Sequence, residues 1–62
     1  MEVRGEKAAP KALIVDDELL VRILVREALE QAGIEVYEAS SGAQALESFR
    51  ASRPDIVLMD IM

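Results

Sequence analysis

Two short apolar runs mark the chain, Ala12 to Val15 and Ile56 to Met59, and each is followed directly by aspartate. Uninterrupted apolar runs of this length are the pattern of strands buried on both faces. Between them the period changes twice. From Glu18 to Ala32, the residues Val21, Leu24, Val25, Ala28 and Ala32 recur at helical spacing, which predicts a helix with that face inward. Gly33 follows where a helix C-terminus takes up the left-handed conformation. Leu19, Leu20 and Ile23 widen the stripe beyond what one sheet face requires, a hint of a further partner. Ile34 to Ala39 then alternates, with Ile34 and Val36 on one side and Glu35 and Tyr37 on the other, as in a half-exposed strand. Ser41 and Gln44 form a Ser-x-x-Gln capping box, and Ala45, Leu46 and Phe49 continue it as a short helix. Pro54 cannot extend that helix and disfavours helical geometry at Arg53. Residues 1–11 are charged and aperiodic and hold Gly5 and Pro10, so they read as a tail before a single domain at 12–62.

The order β-α-β-α-β specifies an α/β domain, a doubly wound parallel sheet with helices on its faces. The alternating second strand belongs at an edge and the two apolar strands inside, which leaves the orders 2-1-3 and 2-3-1. Right-handed crossovers favour 2-1-3. In both orders the first and third strands are neighbours, about 4.8 Å apart. Parallel strands end on the same side, so Asp16, Asp17 and Asp60 converge at one rim, at the point where open α/β sheets bind ligands. Three carboxylates brought together repel, and a hard divalent cation resolves the conflict. Magnesium suits the site, since it takes one or two carboxylates, keeps several waters and accepts phosphate oxygens. Asp16 and Asp17 are adjacent and their side chains diverge in extended chain, so one is expected to bind directly and the other through water.

Composition narrows the function classes. With 62 residues the chain holds one small domain at most, and the absence of cysteine excludes disulfide stapling. A hydrophobic content of 52% argues for a packed core rather than disorder. The formal net charge of -5, from 12 acidic and 7 basic residues, disfavours direct contact with nucleic acid and suits cation binding. No apolar run approaches a membrane span, and residues 1–11 lack the hydrophobic segment of a secretory signal, so the expected location is cytoplasmic.

Each candidate also has an ordinary reading. Asp16 and Asp17, with Glu18, can simply cap a helix N-terminus and favour its dipole. Asp60 at the end of a second apolar strand shifts the balance toward a site. Asp55 reads as a solvated loop residue, and Arg22, Arg26 and Arg50 as solvated faces, with Arg26 and Glu30 at i, i+4. Ser40 and Ser41 read as turn and cap, Tyr37 as sheet packing, and Met59 and Met62 as core filler.

Taken together, ALIVDDE, the Gly33 helix end, EASSGAQALE and PDIVLMDIM resemble the first half of a response-regulator receiver domain, the phosphoacceptor module of two-component signalling. The resemblance runs from about Lys11 to Met62 and implies a partial flavodoxin-like sheet of order 2-1-3. It implies that Asp60 accepts a phosphoryl group from a histidine kinase. It further implies that Asp17 binds Mg²⁺ directly, that Asp16 acts largely through water and that the backbone carbonyl of Met62 completes the ligands. Such a module is not an enzyme beyond catalysing its own phosphotransfer. The Ser/Thr and Lys that a receiver supplies from its later strands have no counterpart here, and Lys7 and Lys11 precede the first strand. Weak Mg²⁺ binding and poor signalling are therefore expected of this truncated unit.

Two other classes compete with this reading. One is a self-associating structural module, a homodimer or a pairing with a complementary fragment through the third-strand edge, with a vestigial site. The other is a phosphate-hydrolysing enzyme. A P-loop ATPase needs a Gly-rich loop ending in Lys-Ser/Thr, which Gly5, Gly33 and Gly42 do not form. A haloacid-dehalogenase-like phosphatase needs an Asp-x-Asp arrangement that the first strand lacks.

Overall fold

The computed structural model describes residues 9–60. Its elements are β1 (Lys11–Asp16), α1 (Leu19–Gln31), β2 (Glu35–Ala39), α2 (Gly42–Ser52) and β3 (Ile56–Asp60). The three strands are parallel and ordered β2-β1-β3, the order that right-handed crossovers select. β1 starts at Lys11, where the expected tail ends. Its main chain exchanges hydrogen bonds with Asp55, whose N–H donates to the Lys11 carbonyl and whose carboxylate accepts from the Lys11 N–H, each at 2.8 Å. Asp55 thus stitches the start of β3 to β1 while staying exposed in the loop, where the sequence reading put it.

β1 is the centre of the molecule. Ala12 to Val15 are all buried, and Leu13 and Val15 join Ala39 and Ala45 in a core cluster against which Tyr37 packs. Side chains of a strand alternate between faces. Leu13 and Val15 accordingly meet α2, while Ile14 and Asp16 turn to the face bearing Val21 and Val25 of α1. The inward stripe of α1 differs from the expected one. Val21, Arg22, Val25 and Leu29 are half-buried, whereas Leu24 is 64% exposed and Ala28 and Ala32 are exposed as well. Hydrophobic spacing defines a stripe only to within its own width, and the broad stripe of α1 admits two rotations about the helix axis. Packing on β1 and β2 selects the one that brings Arg22 inward.

Both helix ends follow from local chemistry. At the end of α1, the Gly33 N–H bonds the Glu30 carbonyl and the Ile34 N–H bonds the Leu29 carbonyl, each at 3.0 Å, which is the Schellman pattern. Gly33 sits at φ 83°, as that pattern requires. At the start of α2, the Ser41 hydroxyl accepts from the Gln44 N–H at 3.2 Å. Gln44 reaches back to the N–H and hydroxyl of Ser40, each at 2.9 Å, so the reciprocal half of the box closes one residue earlier than expected. Arg53 leaves the helix in the left-handed region at φ 52°, before Pro54.

The apolar run of β3 reads as an interior strand, but the order 2-1-3 makes it an outer strand of the three described, and all five of its residues are exposed, Met59 by 61%. Both helices pack on β1 and β2, one on each face, and among the described residues none covers β3. Two grooves flank it. One of about 350 Å³ runs between Val21 and Val25 of α1 and Leu58 and Asp60 of β3. The other, of about 250 Å³, lies between Leu46 and Phe49 of α2 and Val57 and Met59.

Candidate functional site

Parallel pairing sets the geometry of the acidic rim. The β1–β3 register places Asp16 opposite Asp60, with Val15 opposite Met59 one step earlier. Adjacent strands lie about 4.8 Å apart, so the two aspartates stand at the carboxyl ends of neighbouring strands. Because β1 also pairs with β2 on its other side, the rim between β1 and β3 is the switch point of the sheet.

The predicted acids occupy different environments. Asp16 is only 6% exposed, while Asp17, in the turn beyond it, and Asp60 are exposed. Asp16 Oδ1 accepts the Glu18 N–H at 2.9 Å, a local turn that shapes the chain before α1 begins. The capping reading of the sequence is thus realised by Asp16 in this form, and the N-cap residue Glu18 makes no side-chain cap of its own. Asp16 and Asp60 are brought together; Asp17 is not joined to them in a three-acid cluster. Among the described residues no group of three or more acidic or other metal-ligating side chains is close enough to hold an ion. Met62, whose carbonyl was expected to serve as a ligand, lies outside the described residues.

The donor set nevertheless suits a hard cation. Magnesium takes one or two carboxylates and fills the remaining positions with water and phosphate oxygens. Two carboxylates on paired positions, one sheltered and one open to solvent, match that requirement.

Two arginines read as solvated surface, Arg22 and Arg26, frame the rim together with Glu38. Arg22 Nη1 donates to the Asp16 carbonyl at 2.6 Å, and its Nε donates to Glu38 Oε1 at 2.9 Å. The side chains of Arg22 and Glu38 are 14% and 22% exposed, so this is not the solvated face the sequence suggested. Arg26 holds the second oxygen of Glu38 and pairs with Glu30 at 3.0 Å, as its i, i+4 spacing predicts. Burial pushes the Glu38 carboxyl up, but the hydrogen bonds and charges of Arg22 and Arg26 outweigh it and hold it below the ordinary carboxylate range. Arg26 is raised in turn, first by the hydrogen bond it donates to Glu30 and then by the one it donates to Glu38. One signal of this network was present in the sequence. Alternation puts Glu38 on the Val36 side of β2, the side turned to α1, where a half-buried carboxylate needs a cation.

A doubly wound parallel unit with paired carboxylates at its switch point defines a class of α/β proteins whose ligands sit at the carboxyl rim of the sheet. The chain matches the response regulator receiver domain over residues 12–62, and it belongs to that family. It is 43% identical to the sporulation initiation phosphotransferase F of Bacillus subtilis over 51 residues, covering 82% of this chain and 41% of the relative. It is 44% identical to the chemotaxis protein CheY of the same organism over 54 residues, covering 86% of this chain and 45% of the relative. Transcriptional regulatory protein CseB of Streptomyces coelicolor is 46% identical over 50 residues, covering 81% of this chain and 21% of the relative. The chain therefore spans less than half the length of these relatives. Among the described residues no helix is long and apolar enough to cross a membrane.

Proposed function

We propose that this chain is the phosphoacceptor segment of a two-component phosphorelay, in which Asp60 takes a phosphoryl group from a histidine kinase. The observation that carries this reading is the pairing of Asp16 with Asp60 at the switch-point rim of a receiver-family sheet. An Asp60 carboxylate oxygen attacks phosphorus, the bond from phosphorus to the donor imidazole nitrogen breaks, and the electron pair leaves with that nitrogen. The product is an acyl phosphate on Asp60. Asp16 and Asp17, with Asp60 and the Met62 carbonyl, are the groups that would hold Mg²⁺, which when bound offsets charge on the transferring oxygens. Asp60 is open to solvent and so accessible to a donor, while the buried Asp16 has its position set by the Glu18 N–H.

The reading makes the chain a phosphoacceptor and not a turnover enzyme. The test is labelling by a small acyl-phosphate donor. It should require Mg²⁺ and disappear in Asp60→Asn. Label retained by that variant would refute the assignment of Asp60.

A further inference from the structure

The β1–α1 turn carries two of the three acids, and Arg22 ties it to the body of the fold. Asp16 is the last residue of β1 and α1 begins at Leu19, so the turn between them is short. Its side-chain end is held where Asp16 Oδ1 accepts the Glu18 N–H at 2.9 Å. Its main-chain end is held where Arg22 Nη1 meets the Asp16 carbonyl at 2.6 Å. Arg22 is braced in turn, because its Nε donates to Glu38 Oε1 at 2.9 Å while Arg26 holds the other oxygen of Glu38. Glu38 belongs to β2 on the far side of β1, so the brace spans from one strand to the end of the next.

The consequence follows from peptide geometry. The Asp16 carbonyl belongs to the planar peptide joining Asp16 to Asp17. Pinning that oxygen restrains the peptide plane and so the position of the Asp17 Cα, which narrows the directions open to the Asp17 side chain. We propose that Arg22, braced by Glu38, is a positioning residue for the acidic rim, presenting the Asp16 and Asp17 carboxylates in the orientation that binds a cation beside Asp60. What the rim binds rests on the phosphoacceptor reading; the positioning of the turn does not.

Charge and positioning predict opposite signs. A guanidinium near a cation site repels the cation, so an Arg22 acting only through its charge would, when removed, leave Mg²⁺ bound more tightly. An Arg22 acting by position would, when removed, leave it bound more weakly. Outer partners that orient metal ligands are worth about 10–100-fold in affinity. Arg26 is the internal control, since it also pairs with Glu38 but contacts neither Asp16 nor the turn among the bonds of the described residues.

The experiment uses the whole chain and compares wild type with Arg22→Ala, Arg22→Lys and Arg26→Ala by NMR. Hydrogen exchange at the Glu18 amide is read first, without metal, against Val15 in the sheet as a reporter of global opening. Positioning by Arg22 predicts that Glu18 exchange, relative to Val15, speeds up about tenfold in Arg22→Ala and changes little in Arg26→Ala. Arg22→Lys keeps the charge but lacks the fork that reaches Glu38 and the Asp16 carbonyl together, so it should follow Arg22→Ala, and it serves if the alanine variant does not fold. Titration with Mg²⁺, followed at the Asp16 and Asp17 amides, should then show affinity about tenfold weaker in both Arg22 variants. Unchanged Glu18 exchange, or equal effects of Arg22→Ala and Arg26→Ala, would overturn the inference. Wild type that shows no Mg²⁺ response would instead overturn the phosphoacceptor reading, while the exchange comparison still decides the role of Arg22.

Discussion

Asp16 and Asp60 occupy directly paired positions at the ends of neighbouring parallel strands, one buried and the other exposed. Like charges so placed oppose the pairing that places them, because each destabilises the ladder that its neighbour belongs to. The register cannot slip to relieve this. Moving β3 by one residue would exchange its two faces and turn Asp60 away from the face that Asp16 shares.

Replacing one of the pair should therefore stabilise the chain in the absence of metal. Asp60→Asn is expected to raise stability by about 0.2–1 kcal/mol, the range for cross-strand pairs. Added Mg²⁺ should raise the melting temperature of wild type and leave Asp60→Asn nearly unchanged. Thermal unfolding followed by circular dichroism, with Mg²⁺ and with chelator, measures both.

The Glu38 network makes stability depend on acid. The folded-state value of Glu38 is depressed below the ordinary 4.5, so its contribution is fully present above that value and is lost as pH falls through the folded one. Denaturant unfolding should show stability falling below about pH 4.5, with Glu38→Gln flattening that part of the profile. Arg22→Ala should flatten it too, since the hydrogen bond from Arg22 is the foremost influence lowering the Glu38 value.

Gly33 is required by backbone conformation and not by space. At φ 83° it has nothing within 4 Å of the position a Cβ would take. Gly33→Ala should cost roughly 1–2 kcal/mol from the left-handed conformation alone. Gly33→Asn, which tolerates that region better, should cost less. Chemical denaturation of the three proteins gives the order directly.

The exposed third strand makes a prediction about solution behaviour. Ile56 to Met59 present apolar side chains on both faces and, among the described residues, an unpaired outer edge, the arrangement that templates association. Leu58→Lys and Met59→Lys place a charge on opposite faces of that strand. Each should lower concentration-dependent association in sedimentation velocity and leave the far-ultraviolet circular dichroism unchanged. Sedimentation of wild type as an ideal monomer at high concentration would contradict this.

Most of the architecture was legible along the chain. The alternation of Ile34 to Ala39 placed β2 at an edge, the apolar runs marked β1 and β3, and crossover handedness selected the order β2-β1-β3. From these alone Asp16 and Asp60 had to be neighbours, because two parallel strands that each end in aspartate and lie side by side leave no other outcome. Periodicity is a local property, and these features depend on it and on chain connectivity.

Tertiary contact decided the rest. The rotation of α1 that turns Arg22 inward and Leu24 outward depends on the shape of the sheet face beneath it, which a broad apolar stripe does not encode. The bonds from Arg22 to Glu38 and to the Asp16 carbonyl span 16 and 6 residues of sequence, and that from Asp55 to Lys11 spans 44. Such partners come within hydrogen-bonding reach only after the strands pair. The apolar run of β3 likewise does not by itself tell how much of the strand is buried. An apolar run reports what a strand can bury, whereas its exposure depends on which elements lie against it. The residues that form the acidic rim were thus written in the sequence, and the residues that hold the rim in shape emerged only from the packing around it.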